Sequence, residues 1–503
     1  MEVLINGHSH TLKDVIDVAI RGARVGLAGE ARSAMQEARD YVCGLICREQ
    51  PVYGITTGFG KFSDVFISGD AVAELQENLI TSHACGVGPE LPVPETRAMM
   101  LLRANALALG HSGVRPHLVE MILACLNANA LPVVPSKGSL GASGDLVPLA
   151  HMGLFLIGQG EARVNGRLVS AQEALAYADL EPVKLEAKEG LALVNGTQFM
   201  SARGCLALQR AQELALAADG IAAITCQVLR GIPAAYSPLI HQVRPHPGQL
   251  KSAENLRRFL AGSNLTSEPG ELRTQDAYAL RCIPQVHGAS HDVISYVTQL
   301  FEREINSATD NPLVFARENQ VISGGNFHGQ PLAMALDYLA IAVAELASLS
   351  ERRIERMVNP QLNDLPPFLT ERGGLNSGMM IPQYVAAALV SENKVLCHPA
   401  SVDSIPSSGN QEDHVSMGAI AANKLAQVIE NLYSVLAIEL LCACQAADFR
   451  GSQGLSPVTR QIYDLVRFHV RPMERDRSVH HDIKVLTEML EQGKITSMLQ
   501  ERQ

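Results

Sequence analysis

The sequence predicts a mainly α-helical protein, with a long central helix bundle preceded by a loop-rich N-terminal head domain. The first observation is a set of three long segments, rich in Ala, Leu, Ile and Glu, at residues 201–230, 329–358 and 416–447. Their apolar residues recur at i, i+3, i+4 and i+7, the helical period. The second observation is that each segment is apolar around more than one face, so one partner helix would not cover it. The third is that the first two hundred residues have shorter apolar patterns. We expect a head domain at 1–200 and a bundle at 201–503.

Glycine and proline are frequent in the head domain, which indicates turns and loops. The densest stretches are 51–60, 86–95 and 131–144. Residues 161–169 carry an Asn-Gly pair between short β-prone runs, which predicts a small hairpin. After Asp448 the segments shorten again, and the tail from Pro472 onward indicates peripheral helices.

Composition narrows the class of protein. The chain has 503 residues and is 47% apolar, which is typical of a globular protein with a large core. Its net charge is −11 and its basic clusters are interleaved with acids, so a nucleic acid is not an expected partner. Charged residues interrupt every apolar stretch, and we expect no transmembrane span.

The cysteines and the N-terminus bear on the compartment. Ten cysteines are scattered without a Cys-x-x-Cys pair, which predicts buried thiols in a reducing compartment. The first residues lack the basic and long apolar regions of a secretory signal. A cytoplasmic location is therefore expected.

The most informative stretch is 138–151, Gly-Ser-Leu-Gly-Ala-Ser-Gly-Asp-Leu-Val-Pro-Leu-Ala-His. At its centre, Ala142-Ser143-Gly144 can form an electrophile from the backbone. If the nitrogen of Gly144 attacked the Ala142 carbonyl carbon and two waters were lost, one from the Ser143 hydroxyl, a methylidene-imidazolone ring would result. Gly144 has no Cβ to hinder that approach. Taken alone, the tripeptide also fits an ordinary turn of small residues.

The frame around the tripeptide is more specific than the tripeptide itself. Glycines at 138, 141 and 144 precede Asp145 and a mostly apolar run to Ile157. This frame resembles the motif of the aromatic amino acid ammonia-lyases and aminomutases, and the resemblance runs from about Tyr53 to Gly418. It implies a fumarase/aspartase-like superfamily architecture, no external cofactor, and a ring that forms autocatalytically from Ala142, Ser143 and Gly144. It also implies a homotetramer whose sites combine residues of three subunits.

Tyr53 lies in Pro-Val-Tyr-Gly-Ile-Thr-Thr-Gly-Phe-Gly, where three glycines indicate a tightly folded loop. A packed tyrosine in a surface turn is the simpler interpretation. The resemblance implies that Tyr53 is the base that removes a β-proton from the substrate. A phenol can act so only if its pKa is lowered from about 10 or its proton is relayed away.

Gln275, Tyr278 and Arg281 are spaced by three, so a helix would place all of them on one face. A solvated face is the alternative. The guanidinium of Arg281 suits a bidentate pair with a carboxylate. The resemblance implies that Arg281 binds the substrate carboxylate with help from Asn195, and that Tyr278 and Gln275 lie near the ring, with Tyr278 as a proton shuttle.

Two further residues precede predicted helices. Phe327 follows a glycine-rich lead into the segment 329–358, and the resemblance places it beside the ring; a hydrophobic contact at the helix entry would explain it equally. Glu412 lies in the polar run 407–417, where an acidic residue can simply stabilise a helix start.

The substrate preference depends on two positions. Ser82-His83 stands where tyrosine-selective relatives carry His-Leu and phenylalanine-selective ones carry Phe-Leu, and it resembles the histidine-selective members. The run Glu412-Asp413-His414 also resembles the histidine-selective members, because a carboxylate and a histidine can hydrogen-bond an imidazole. The activity implied is the non-oxidative deamination of L-histidine, an amino acid substrate, to urocanate and ammonia, the first step of histidine degradation.

Other interpretations stay open. A tyrosine or phenylalanine ammonia-lyase, a 2,3-aminomutase, or a helical scaffold without catalysis would share most of these features.

His287 and His291 have the spacing of two zinc ligands on a helix, but no third ligand pattern accompanies them, and we expect no metal. The signature of the fumarase/aspartase class, a nucleophile elbow, a P-loop and a dinucleotide fingerprint are all missing from the sequence.

Overall fold

The computed structural model describes residues 2–48, 52–58, 60, 65–67 and 71–500. Pro51 and Phe59 of the predicted Tyr53 loop lie outside the described residues. The helices are α1 Leu12–Ala19, α2 Gly29–Cys47, α3 Val72–His83, α4 Val93–Ala108, α5 Pro116–Ala128, α6 Leu146–Leu156, α7 Ala171–Tyr177, α8 Glu189–Val194, α9 Gln198–Val228, α10 Pro238–Gln242, α11 Pro247–Leu260, α12 Tyr278–Arg281, α13 Ile283–Glu304, α14 Gln330–Val358, α15 Met380–Leu396, α16 Gly418–Arg450, α17 Pro457–His469, α18 His480–Glu491 and α19 Lys494–Gln500.

The strands are short and form small sheets. They are β1 Glu2–Ile5, β2 Arg24–Leu27, β3 Val87–Glu90, β4 Ala130–Pro132, β5 Pro135–Lys137, β6 Glu161–Val164, β7 Arg167–Ser170, β8 Leu313–Phe315 and β9 Gln320–Ile322. β1 pairs with β2 in parallel, and the other sheets, β3-β5, β4-β6-β7 and β8-β9, are antiparallel. The predicted hairpin is confirmed as β6 and β7, and its Asn165 and Gly166 both have the positive φ that a two-residue turn of this kind requires.

The three long predicted helices are confirmed as α9, α14 and α16. Their periodicity predicted each end to within a few residues, because long segments of good helix formers carry the strongest local signal. Almost every residue of α16 between Leu432 and Ala447 is buried, which agrees with the apolar residues found all around this segment.

The chain divides into two compact units. The first contains residues 1–206, 298–337 and 399–423, and the second contains 207–297, 338–398 and 424–503. The first division lies close to residue 200, but two later segments join the N-terminal unit. Periodicity along the chain cannot show such a return, because it reports only on sequence neighbours.

Two helices are more apolar than expected from the charged residues that interrupt them. In the described part of the chain, α14 and α16 are long and apolar enough by composition to span a membrane. However, 61% of the apolar window of α14 and 72% of that of α16 is buried inside the protein. An interior helix of a water-soluble protein has the same length and composition, so these two helices are weak evidence for a membrane.

All ten cysteines are free thiols, but not all are buried as predicted. Cys43, Cys47 and Cys85 are exposed, whereas five others are buried and two are intermediate. Apolar neighbours in sequence misled the prediction, because a helix such as α2 turns its polar face, with Cys43 and Cys47, to solvent. Burial raises the pKa of Cys125 to about 12, so that thiol stays protonated.

The second unit contains a buried polar network centred on Asp219 of α9. His287 and His291 of α13 contact its two carboxylate oxygens at 2.7 and 3.2 Å. Ser252 and Asn255 of α11 donate to the same carboxylate at 2.8 and 2.9 Å. The two histidines that have zinc-ligand spacing are therefore packed against a carboxylate. The network ties three helices of the unit to one another.

A buried ion pair extends this network. Arg353 of α14 donates to both carboxylate oxygens of Glu439 of α16, and both side chains are 0% exposed. Arg353 also donates to Nε2 of His287 at 3.3 Å, which leaves Nδ1 of that ring as the proton donor to Asp219. His287 is therefore held as the neutral tautomer.

We expect the second unit to lose stability in acid. Burial lowers the pKa of His287, so the unfolded chain takes up a proton there more readily than the folded chain below about pH 6.5. Burial acts to raise the pKa of Asp219, but hydrogen bonds from the two histidines outweigh it and lower that pKa; this contribution is lost at still lower pH. Thermal unfolding should therefore show a midpoint that falls as the pH is lowered from about 8 to about 5.

The matched variants are His287→Asn and His481→Asn. Asparagine does not titrate, so the first should flatten the dependence of the midpoint on pH, whereas the second, at an exposed histidine, should leave it unchanged. A wild-type midpoint that stays constant over this range would contradict the expectation.

Candidate active site

The first unit contains a partly open cavity of about 1090 Å³. Its lining combines polar groups with apolar walls from α3 and α8. Six of the residues predicted from the sequence line it: Tyr53, His83, Ser143, Asn195, Phe327 and Glu412. Segments that are hundreds of residues apart in sequence thus meet at one cavity, whose volume suits a small molecule.

The turn that carries Ser143 follows β5 and ends at α6. Gly144 has φ of +74°, and a Cβ there would clash with the carbonyl oxygen of Gly196. Both conditions require glycine at this position. Ala142 is half-buried beside it, and Ser143 faces the cavity. The backbone thus has the glycine that the predicted cyclisation needs.

Two side chains hold this turn. The amide Nδ2 of Asn195, at the end of α8, donates to the carbonyl oxygen of Ser143 at 2.8 Å. Asp145 is 0% exposed and accepts from the Ser139 hydroxyl at 3.1 Å and from the backbone N–H of Met200 at 2.9 Å. Burial raises the pKa of the Asp145 carboxyl to about 7, although these hydrogen bonds oppose the shift. The turn is thereby tied to the start of α9.

Residues 416–418 close the other side of the turn. The backbone N–H of Met417 donates to the Leu140 carbonyl at 2.9 Å, and the Ser416 hydroxyl donates to the Gly141 carbonyl at 3.2 Å. Gly141 has φ of +67°, and a Cβ there would clash with the Ser416 hydroxyl. The turn is therefore packed on both sides within the first unit.

Tyr53 and Glu412 form a polar wall of the cavity. The phenol oxygen of Tyr53 accepts from the backbone N–H of Gly60 at 3.4 Å. Burial raises the pKa of Tyr53, the Gly60 N–H opposes this, and the Glu412 carboxylate raises it further. The Ser407 hydroxyl donates to Glu412 at 2.9 Å. The phenol is thus neutral at ordinary pH, and a carboxylate lies near it.

His83 ends α3 and is also a neutral group. Burial lowers its pKa, although the Leu79 carbonyl and Glu412 act in the opposite direction. The Ser82 hydroxyl donates to the Leu79 carbonyl at 3.1 Å, and the same oxygen is 3.0 Å from Nδ1 of His83. Since the hydroxyl has one proton, Nδ1 of His83 is the donor in this pair. Nε2 of His83 is then the acceptor nitrogen of the ring.

The structure does not bring Gln275, Tyr278 and Arg281 into this cavity. All three belong to the second unit, and the cavity lining comes from the first. Tyr278 is 68% exposed, and the guanidinium of Arg281 lies 4.5 Å from the centre of its ring. Nε of Arg281 donates to the Asp276 carbonyl at 2.8 Å, which leaves the two terminal nitrogens to bind another group.

Sequence reasoning missed several residues that shape the cavity. Asp145 lies within the motif, and its contacts with Ser139 and Met200 were not predicted. Asn311, Ser323 and Gly324 line the cavity without having been singled out. The run Thr309-Asp310-Asn311-Pro312 carries the polar residues and the proline of a functional loop, and this is the signal that could have identified it. In the described residues, no group of three or more His, Cys, Asp or Glu side chains is arranged to hold a metal ion.

Comparison with known sequences gives a consistent result. Residues 10–468 match the family described as aromatic amino acid lyase. The chain is 57% identical over 500 residues to a histidine ammonia-lyase of Symbiobacterium thermophilum, covering 99% of each chain. It is 55% identical to a histidine ammonia-lyase of Caldanaerobacter subterraneus subsp. tengcongensis, covering 99% of this chain and 98% of the relative.

Solved structures of similar enzymes have the same fold as this chain. A histidine ammonia-lyase from Trypanosoma cruzi superimposes with a TM-score of 0.93 at 43% identity, over 100% of this chain and 95% of that one. A tyrosine aminomutase from Streptomyces globisporus superimposes with a TM-score of 0.96 at 38% identity, over 100% and 99%. The helical fold, the Ala142-Ser143-Gly144 turn in its cavity and these similarities lead to one conclusion: the chain belongs to the aromatic amino acid lyase family.

Proposed function

We propose that this protein is an enzyme that deaminates L-histidine to urocanate and ammonia without oxidation. One observation carries the proposal: Ser143, with the Asn195 amide on its carbonyl, shares a cavity with Tyr53, His83 and Glu412. Ser143 belongs to the electrophile and Asn195 hydrogen-bonds to it, and the other three residues supply a proton acceptor and partners for an imidazole. The relatives at more than half identity that are named histidine ammonia-lyases support the same reaction.

The residues present fit a methylidene-imidazolone formed from Ala142, Ser143 and Gly144. The fit is seen in the positive φ of Gly144, in the lack of room for a Cβ, and in the amide that Asn195 places on the Ser143 carbonyl. When formed, this group supplies an electrophile for the substrate amine and makes that amine a better leaving group. No external cofactor is needed.

The side chains around the cavity perform the remaining tasks. Tyr53 accepts the β-proton of the substrate in this proposal. Because burial keeps the pKa of Tyr53 high, the phenol carries its own proton beforehand, and that proton must pass to a neighbouring acceptor as the β-proton is taken up. Glu412 and the unprotonated Nε2 of His83 are the neighbouring acceptors. As the β-proton leaves to Tyr53 and ammonia leaves from the α-carbon, the electron pair of the C–H bond forms the double bond of urocanate.

Glu412 and His83 also select the substrate in this proposal. The N–H of the imidazole of histidine can donate to the Glu412 carboxylate or to Nε2 of His83, the acceptor nitrogen of that ring. A phenyl ring has no N–H to donate to either group, and the loss of that hydrogen bond costs about 1–3 kcal/mol. Phe327 packs beside the substrate as an apolar wall.

We assign Arg281, Tyr278 and Gln275 to the site of a neighbouring copy of the chain. These residues belong to the second unit, and Tyr278 is exposed together with Leu239 and Val243, which are 76% and 85% exposed. A neighbouring subunit in a homotetramer would cover such a surface. Arg281 would then bind the substrate carboxylate through its two terminal nitrogens. The free thiols support the proposal that the tetramer works in the cytoplasm.

The test is an ultraviolet assay of the purified protein with L-histidine, L-tyrosine and L-phenylalanine in parallel. Urocanate from histidine alone is the expected result. Formation of coumarate or cinnamate would support the proposed elimination reaction but would show that histidine is not the preferred substrate. A β-amino acid product would identify an aminomutase, and folded protein that acts on none of the three would favour a scaffold.

The residues at 82 and 83 should control this preference. Replacing Ser82→Phe and His83→Leu together gives the pair carried by phenylalanine-selective relatives. We expect kcat/KM for histidine to fall about 10- to 100-fold, and deamination of phenylalanine to rise, because one polar partner of the imidazole is lost. Steady-state assays with both amino acids measure the change.

Thr81→Ala is the matched control, since Thr81 is on the same helix, is exposed and does not line the cavity. Its kinetics should equal those of the wild type. An unchanged preference in the double variant would remove His83 from substrate recognition.

A further inference from the structure

Lys188 and Asp310 form an ion pair in the interior of the first unit. Nζ of Lys188 lies 2.7 Å from Oδ2 of Asp310, and the two side chains are 0% and 2% exposed. Such burial is costly for both charges, and it is retained only where the pair is well hydrogen-bonded. Neither residue lines the cavity.

Each partner is joined to a different wall of the cavity. Lys188 directly precedes α8, the short helix that ends at Asn195, and Asn195 donates to the Ser143 carbonyl. Asp310 uses its second oxygen to accept the backbone N–H of Asn311 at 2.7 Å. The ion pair thus connects the helix that supplies the Asn195 amide to the loop that begins at Asn311.

The Asn311 side chain extends the connection along the second wall. Its Oδ1 accepts the backbone N–H of Gly324 at 2.7 Å, and its Nδ2 donates to the Ser323 hydroxyl at 3.2 Å. Asn311, Ser323 and Gly324 line the cavity, and Phe327 follows three residues later. An unbroken series of hydrogen bonds therefore runs from Lys188 to the segment that presents Phe327.

A second connection runs parallel to the first. The Gln198 amide donates to the Thr309 hydroxyl at 2.7 Å and accepts from Arg103 at 2.7 Å. A Cβ at Gly196 would clash with both Arg103 and Gln198, so the backbone next to Asn195 packs directly on this pair. The connection between the 188–198 segment and the 309–311 segment is therefore rigid at both ends.

We propose that Lys188 and Asp310 are positioning residues for the lyase reaction. Their ion pair fixes Asn195, and with it the Ser143 carbonyl, against the wall that carries Asn311 and Phe327. The inference rests on the proposed function, since it concerns the geometry of that reaction. It adds two residues that touch neither the substrate nor the electrophile.

The ion pair can be separated from ordinary stabilisation by comparing single and double variants. Lys188→Met or Asp310→Asn alone leaves one buried charge without its partner, so each should lower the unfolding midpoint strongly. The double variant Lys188→Met/Asp310→Asn removes both charges of the pair and should recover part of that midpoint, since the buried Arg103, which also interacts with Asp310, keeps its charge. If the pair positions the cavity walls, the double variant should still show kcat about 100-fold below wild type, with a smaller change in KM.

Intact mass, unfolding midpoint and histidine kinetics are measured on the full-length protein, and kcat is expressed per chain that has lost two waters. The matched control is Arg353→Met/Glu439→Gln, which removes an equally buried ion pair in the second unit that lines no part of the cavity. The kcat of this control per modified chain should stay within about threefold of wild type, since removing a buried ion pair away from the cavity changes the free energy of unfolding and not the cavity.

Each outcome decides the proposal. A stable double variant with low kcat per modified chain supports it. A stable double variant with wild-type kcat shows that the pair only stabilises the fold and overturns it. A stable double variant that has not lost two waters assigns the pair to ring formation and overturns it as well. Wild-type protein that forms no urocanate in the same assay overturns the proposed function itself.

Discussion

Ser143→Ala protein is expected to fold and to have almost no lyase activity. Without the β-hydroxyl the second water cannot be lost, so the exocyclic carbon that accepts the amine does not form. Because this covalent step has no substitute among the other cavity residues, we expect kcat to fall by about 1000-fold or more. Intact mass should show a deficit of two waters in the wild type and none of that size in the variant.

The control for this variant is Ser112→Ala. Ser112 is also a buried serine of the first unit, but it does not line the cavity. It should keep both the mass deficit and the activity. Full activity in folded Ser143→Ala protein would reject the mechanism, whatever the substrate.

The second large effect is expected from Tyr53→Phe. Removing the phenol oxygen deletes the group proposed to accept the β-proton while keeping the ring that lines this part of the cavity. General-base contributions of this kind are typically about 100- to 10,000-fold in rate. We expect a loss of kcat in this range with intact mass unchanged, and a kinetic isotope effect with β-deuterated histidine larger than that of the wild type.

Tyr41→Phe provides the comparison. Tyr41 is a half-buried tyrosine of α2 that packs on the apolar cluster of Val42, Leu45 and Ile55 and does not line the cavity. Its loss of a hydroxyl should leave kcat unchanged. If Tyr53→Phe behaved in the same way, the proton acceptor would have to be sought in Glu412 or His83.

Local sequence patterns predicted the long helices and the hairpin, which depend on residues close together in the chain. The helices α9, α14 and α16 and the β6-β7 hairpin follow from residue spacing and from the Asn165-Gly166 turn. The assembly of 1–206, 298–337 and 399–423 into one unit does not, because it depends on contacts between residues far apart in the chain. The exposure of Cys43 and Cys47 depends in the same way on which face of α2 meets the core.

In the candidate site too, local features could be predicted from the sequence and contacts between distant segments could not. The place of the short motif Ala142-Ser143-Gly144 at a cavity could be predicted, because the residue types of the motif themselves indicate a reactive turn. Supporting contacts could not: the amide of Asn195 on the Ser143 carbonyl and the Lys188–Asp310 pair join segments with no pattern in common. The proposed contribution of Arg281 requires a second copy of the chain, and local residue patterns do not predict contacts between copies.

The contact between Leu140 and Met417 has a consequence for biosynthesis. These residues are joined by a backbone hydrogen bond although 277 positions separate them, and residues 416–418 cover one side of the turn that carries Ser143. A ribosome adds residues at about 5–20 per second, so the turn emerges many seconds before its cover does. During that interval the nascent chain lacks the packing that holds Gly141 and its neighbours. If the proposed electrophile forms only in the packed turn, its maturation is a late event that follows synthesis of nearly the whole first unit.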